Sequence, residues 1–564
     1  MDNVQHDSPH PDARLAQLPT HEVTNQPPPA GARNLFSADA VLREAATWAG
    51  AAAHIDQLTA FGAALGEPAV DDLGAQANRH APVLQTFDRQ GYRLDRVDFH
   101  PAWHALMRLS VAQGLGAAPW AVTGRAAAGA HVARALGLVM MASIESGHLC
   151  PLSMSYSAVA TLRHAPELAA CWLPGLLSRE YDPAFAPADR KRGLLFGMAM
   201  TEKQGGSDLR RITTRAAPDG ADGRYRITGH KWFTSAPMCD AFLVLARAEH
   251  GVSCFLMPRW APEGTLNGLR FQRLKNKLGN RSNASSEVEF VDALAWRIGE
   301  EGRGIPLILE MGNLTRVDSS LSSAGLMHRC VREAVHHATH RQAFGKTLLE
   351  QPLMRRVLVD IALEAEAAVT LSLQLAALCA RQQDAESVAL RRLLTPATKL
   401  WVCKRGPHLA AEAMEALGGN GYTEDFPLAR IYRELPVNAI WEGSGNIMCL
   451  DARRAAMRHP EAVEALAVLL RSAAGASAAY DAQVDRLLAT LADAGNSDEG
   501  HWRGITTAIA VLTQAALLCR HAPAEVAQAY LLTRFEDPAL GLAGGVRGGL
   551  AETEILARYG AAAA

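Results

Sequence analysis

The chain has 564 residues, 49% hydrophobic and 20% charged, a globular composition with room for about two to four domains, which excludes disorder, collagen-like repeats and a disulfide scaffold. Lysine plus arginine number 56 against 58 acids, a formal net charge of -2, so the bulk charge gives no general attraction to nucleic acid or anionic membrane. The nine cysteines are scattered without a Cys-x-x-Cys, which points to buried thiols in a reducing, cytoplasmic setting rather than to a zinc or disulfide framework.

In chain order, residues 1–35 read as an amino-terminal arm, polar and carrying Pro27-Pro28-Pro29. No basic head precedes an apolar run there, so no signal peptide is expected. Residues 36–190 read as a helical domain: Val132, Leu136, Val139 and Met140 recur three and four apart, and Pro183 and Pro187 mark its end. Strand formers are sparse throughout this stretch.

Across 191–303 the period changes. Tyr225 to Thr228, Ala241 to Ala246, Val252 to Met257 and Glu287 to Phe290 have strand-like content, separated by Asp219-Gly220, Asp222-Gly223 and His250-Gly251. A compact β domain is the reading. Residues 304–456 return to helical periodicity, with runs at 321–341, 352–381 and 386–417 that suggest a bundle. Residues 457–564 form a further alanine-rich helical domain. From Asp451 onward there are ten arginines, no lysine and thirteen acids, net -3. Its most apolar stretch, 504–519, is too short for a membrane span, and no membrane partner is expected.

Several segments could carry chemistry. Met200-Thr201-Glu202-Lys203-Gln204-Gly205-Gly206-Ser207-Asp208 follows a strand-like segment. Its paired glycines would let backbone amides approach an anion or a flat ring, or simply make a surface turn. His230-Lys231-Trp232-Phe233-Thr234-Ser235 could wall a planar cofactor or contribute a core tryptophan. Arg341, before Gln342-Ala343-Phe344-Gly345, suits either a helix C-terminus or a diphosphate. Gly418-Gly419-Asn420-Gly421 holds more glycines than a helix stop needs. Glu442, between Trp441 and Gly443, is either a desolvated base or a helix-capping acid. His336, His337 and His340 lack the H-E-x-x-H pattern and give no metal site. No serine stands in a nucleophile elbow.

Together these segments resemble the acyl-CoA dehydrogenase superfamily. The Met200-Thr201-Glu202 block with Gly205-Gly206-Ser207-Asp208 comes first, followed by Gly229 to Ser235. Arg341-x-x-Phe344-Gly345 with Gln351 comes next, then Gly418-Gly419-x-Gly421-Tyr422, Arg430, Arg433 and Trp441-Glu442-Gly443. Residues 277–284 and 438–451, with Thr20 to Pro27 and the added carboxy-terminal region, are similar to the AidB branch of alkylation-response flavoproteins.

The resemblance implies an α+β, mainly α fold: a helical domain, a central β-barrel-like domain, a four-helix bundle and the branch's extra helices. It also implies FAD and a homotetramer built as a dimer of dimers. By analogy Met200, Thr201, Gly206 and Ser207 line the flavin and Trp232, Phe233, Thr234 and Ser235 lie against its ring. Arg341, Phe344 and Gln351 reach the FAD of a neighbouring subunit, and Gly418, Gly419, Trp441, Ser444 and Asn446 complete the pocket. Ser444 and Asn446 stand where the wider family prefers threonine and glutamine.

Glu442 would take the proton α to a thioester, with hydrogen bonds to the carbonyl stabilising the developing enolate. The AidB branch adds a second reading, a flavin-containing protein that binds duplex DNA and protects it against alkylation with vestigial oxidation. Arg453, Arg454, Arg458 and Arg471 are the candidate DNA contacts, on a region whose net charge opposes phosphate binding. A purely structural helical assembly is the third reading and leaves the motif set unexplained.

Overall fold

The computed structural model describes residues 23–124, 126–220, 223–538, 541–545 and 548–561. Thr20, His21 and Glu22 of the amino-terminal motif and Asp222 of one expected turn lie outside the described residues. Among the described residues seven helices come first: α1 (Ala40–Trp48), α2 (Ile55–Leu65), α3 (Pro68–Arg79), α4 (Pro101–Gln113), α5 (Ala126–Ile144), α6 (Leu149–Leu162) and α7 (Pro166–Leu176). A hairpin, β1 (Val83–Phe87) and β2 (Arg93–Asp98), interrupts them, in a stretch read from sequence as helical. Its cause is local. Asp88 accepts from the backbone N–H groups of Gln90 and Tyr92, and Gly91 supplies a positive φ.

The β region comprises β3 (Phe196–Ala199), β4 (Arg215–Pro218), β5 (Arg224–Ser235), β6 (Ala241–Ala248), β7 (Gly251–Pro258), β8 (Leu269–Leu274) and β9 (Ser285–Ile298). Strands β6, β4, β5, β9 and β7 close on themselves, β3 adds to β6 and β8 to β9. Closure removes the free edges that an open sheet of such apolar strands would expose.

Beyond the barrel run α8 (Gly304–His340), the hairpin β10 (Gln342–Ala343) with β11 (Lys346–Thr347), α9 (Pro352–Ala380), α10 (Ala385–Ala416), α11 (Gly419–Tyr422), α12 (Pro427–Asn438) and α13 (Gly445–Arg458). Helix α8 starts well before the run read from sequence at residue 321. The last helices are α14 (Pro460–Arg471), α15 (Ala478–Ala492), α16 (Trp502–His521), α17 (Ala524–Leu531) and α18 (Glu552–Ala557). Helix α9 is buried around its whole circumference from Leu358 to Leu373, because α5, α8, α10 and α16 surround it. A buried bidentate pair, Arg134 to Asp318 at 2.6 Å through each nitrogen, locks α5 to α8.

Among the described residues three helical segments, Ala126–Ile144, Pro352–Ala380 and Glu499–His521, are long and apolar enough by composition to cross a membrane, which corrects the reading that the apolar stretches are too short. In the fold 83%, 94% and 61% of those windows are buried against protein. Their hydrophobicity serves the core.

Candidate active site

Between α12 and α13 the chain makes a tight left-handed turn. Glu442 has φ 57° and Gly443 φ 100°, an arrangement that costs a non-glycine residue about 1–2 kcal/mol and needs outside support. Arg316 of α8 gives part of it, its Nε donating to the Glu442 carbonyl at 2.8 Å while Nη1 reaches Asp451 at 3.0 Å. Burial pushes the Glu442 carboxyl above the ordinary carboxylate range, and Thr315 with the nearby cations Lys399 and Arg316 draws it only partly back. Ser444, not Glu442, occupies the N-cap position of α13, so the capping reading of Glu442 falls.

The barrel supplies a second wall. A β-bulge between Lys231 and Thr234 interrupts the β5–β9 ladder and re-aims the intervening aromatic pair. Lys275 Nζ lies 3.4 Å from the centre of the Trp232 ring, and Phe233 is half exposed. Beneath them, buried Lys231 bridges Glu202 at 2.8 Å. Glu202 also accepts from Thr213 N at 2.6 Å, which staples residues 200–208 to the barrel. The Thr201 carbonyl accepts from Trp232 N at 2.8 Å, and Met200 from Lys231. A Cβ on Gly206 would strike the Thr201 hydroxyl and displace that side chain, and Ser207 is exposed. Cys150 of α6 joins the two walls. Its thiol, pushed up to about 12 by burial, faces Ser235, Asn283 and Lys277 and feels the charge of Glu442.

Arg341, Phe344 and Gln351 lie in or beside the β10–β11 hairpin, and Gly418 and Gly419 at the start of α11. Arg341 donates to the Asn25 carbonyl of the amino-terminal arm at 2.6 Å, and Gln351 holds the Ala343 carbonyl at 2.9 Å. Phe344, at the tip of the hairpin with φ 54°, is 98% exposed. Gly419 faces open space, and Asn446 accepts from Arg503 of α16 at 2.7 Å.

The four arginines read as DNA contacts part company. Arg453 faces Glu499 at 3.4 Å and Arg454 pairs with Asp451 at 2.7 Å. Arg471 is exposed at the end of α14. Arg454 and Arg458 instead line a cavity of about 810 Å³ with Arg163, Arg391, Arg392 and Arg316. Glu310 and Asp451 are its carboxylates. Arg316 thus forms the boundary between this arginine-rich cavity and the Glu442 turn. Arg316, Thr315 and Cys150 were not singled out in the sequence. A polar stripe at Asn313, Thr315, Arg316 and Asp318 inside a long helix was the available signal.

Family models for the amino-terminal domain of adaptive response protein AidB, the acyl-CoA dehydrogenase middle domain and the acyl-CoA dehydrogenase carboxy-terminal domain match residues 25–183, 197–293 and 302–457. AidB of Escherichia coli (strain K12) is 45% identical over 91% of this chain and 94% of its own length. The chain belongs to the acyl-CoA dehydrogenase superfamily, on its AidB branch. Acyl-CoA dehydrogenase family member 11 of Caenorhabditis elegans is 32% identical over 68% of this chain and 64% of its own. The crystal structure of Caenorhabditis elegans ACDH-11 in complex with C11-CoA superposes with a TM-score of 0.83 at 27% identity, covering 92% of this chain and 94% of that one.

An acyl-CoA dehydrogenase fold is an FAD-binding fold, and the residues present fit that group. Buried Thr234 Oγ1 and Trp441 Nε1 have no hydrogen-bond partner among the described residues, on the two walls where a flat polar ring system would supply one.

Proposed function

We propose that the protein catalyses α,β-dehydrogenation of an acyl-CoA thioester. The observation that carries this reading is the Glu442 turn: a carboxyl withdrawn from water, beside Thr315, and joined through Arg316 to the arginine-rich cavity. Glu442 accepts the α-proton as the carbon–hydrogen bond breaks, and its raised pKa brings it nearer the operating pH expected of a general base. Arg163, Arg391, Arg392, Arg454 and Arg458 receive the phosphates at the far end of the thioester, by charge-assisted hydrogen bonds. In this reading Arg454 and Arg458 serve a nucleotide rather than duplex DNA.

FAD, when bound, supplies the acceptor for the hydride that leaves the β carbon. Met200, Thr201, Gly206, Ser207 and Trp232 to Ser235 would hold it from one subunit. Arg341, Phe344, Gln351, Gly418, Gly419, Trp441, Ser444 and Asn446 would complete the pocket, the first three from a neighbour. The exposed side chains of Phe344, Leu353 and Tyr422 support a homotetramer. The free cysteines support a cytoplasmic location.

The test is anaerobic mixing of the FAD-loaded protein with a panel of acyl-CoAs. Flavin absorbance falls with at least one chain length, and Glu442→Gln slows that step by about 10²–10⁴-fold. Arg458→Glu weakens thioester binding by about tenfold or more, since each lost charge-assisted bond is worth about 1.5–3 kcal/mol. A panel in which no thioester reduces the flavin overturns the reading. Salt-dependent retention of duplex DNA, lost in Arg453→Glu with Arg454→Glu, would then favour the DNA-binding alternative.

A further inference from the structure

Helix α10 passes directly behind the Glu442 turn, and one of its side chains enters it. Lys399 is 1% exposed. Its Nζ donates to the Trp441 carbonyl at 2.7 Å and to the Gly443 carbonyl at 2.5 Å. The carbonyl between them, that of Glu442, is taken by Arg316 Nε at 2.8 Å. Three consecutive carbonyls of a left-handed turn are thus each held by a cation, from two different helices. Without those donors the turn would leave backbone acceptors unpaired inside the protein.

We propose that Lys399 is the positioning residue of the base: its ammonium clamps the Trp441 and Gly443 carbonyls, fixes the turn that presents the Glu442 carboxyl, and stands as a counter-charge to it. The proposal rests on the dehydrogenase reading above, because it assigns Lys399 a role relative to Glu442. A buried ammonium is expensive to desolvate and no carboxylate forms an ion pair with it among the described residues. A methionine or leucine would fill the same space at lower cost. The charge is therefore explained by what it faces.

The groups around it are Cys403 and Lys404 on α10, Arg316 on α8 and Glu442 on the turn. Burial brings the ammonium down to about 8, Cys403 and then Glu442 oppose that, and Arg316 and Lys404 add to it. Lys399 is therefore charged at neutral pH and loses its proton at mildly alkaline pH. Its charge draws the Glu442 carboxyl down, so neutralising it moves the ionisation of Glu442 upward.

Two variants of the FAD-loaded protein separate the clamp from the charge. Lys399→Gln keeps two N–H donors and loses the charge; Lys399→Met loses both. In Lys399→Gln the acid limb of the kcat/KM profile for acyl-CoA oxidation moves up by about one pH unit, and hydrogen–deuterium exchange of peptide 439–446 stays near wild type. In Lys399→Met that exchange accelerates, and kcat falls by about 100-fold with KM nearly unchanged, the loss expected of a displaced catalytic group.

An acid limb unmoved in Lys399→Gln, or loop exchange and kcat in Lys399→Met equal to wild type, overturns the proposal. If Lys399→Met does not fold, the acid limb of Lys399→Gln decides. A wild type that oxidises no thioester defeats the dehydrogenase reading instead, and the exchange measurement alone then decides whether the clamp exists.

Discussion

Two glutamates show how the same carboxyl is sent in opposite directions by its surroundings. Glu442 has few donors, and burial raises it. Glu145 is more completely buried, at 1% exposed, yet it accepts from Gly147 N at 2.8 Å, His148 N at 2.9 Å, His148 Nδ1 at 2.7 Å and Ser282 Oγ at 2.6 Å. Burial opposes its ionisation, but the donors outweigh burial and hold the carboxyl at about 2. Its folded pKa lies below the unfolded one, about 4.3, so its stabilising contribution is complete above the unfolded value. That contribution is lost as pH falls toward 2. Glu145→Gln places an amide N–H₂ against donors and removes the charge. We expect it to destabilise by about 3 kcal/mol at neutral pH, with the difference from wild type shrinking as urea unfolding is repeated toward pH 2. A difference independent of pH would show that the carboxylate charge is not what the donors hold.

At the scale of elements, the glycine cluster after α10 separates into different requirements. Gly418 has φ 61°, and a Cβ on Gly421 would collide with the Met414 carbonyl, whereas Gly419 has open space around it. Gly421→Ala should destabilise by about 1–3 kcal/mol. Gly419→Ala should alter stability by less than about 0.5 kcal/mol while weakening FAD retention, provided a cofactor approaches that glycine. Thermal unfolding of the two variants with and without FAD checks both. The sequence showed the surplus of glycines but not which one was free, because that depends on where Met414 turns back. Helices α9 and α10 were legible almost to the residue, since their apolar faces are continuous. The first half of α8 was hidden by the residues that make the site: Thr315, Arg316, Asp318, Ser319 and Ser320 are buried polar groups and break the apolar period. Lys399 was invisible for the opposite reason. A single lysine in a regular helix looks solvated until the turn it enters is known.

Across the whole molecule, the helices beyond Arg458 are bound to the central helix by charge as well as by apolar surface. Helix α9 buries Asp360, Glu364 and Glu366, which would be costly in so apolar an environment without cations. Arg534, from the turn that follows α17, reaches Asp360 at 2.7 Å and Glu364 at 3.2 Å. Arg558, just after α18, joins Glu366 at 2.7 Å to Glu44 of α1 at 2.6 Å. The carboxy-terminal helices therefore complete the electrostatics of a helix lying at the centre of the bundle. Arg534→Met should leave Asp360 short of its cation and Glu364 with only the longer contact to Arg405 at 3.6 Å, and should cost about 3–5 kcal/mol, more than an exposed ion pair would. Adding Asp360→Asn and Glu364→Gln to the same chain should recover a large part of that loss, because the penalty belongs to the unpaired charges rather than to the missing bonds. Urea unfolding of the single and triple variants measures the recovery. If the triple variant is no more stable than Arg534→Met, the arginine acts through packing of its stem rather than through the charges of Asp360 and Glu364.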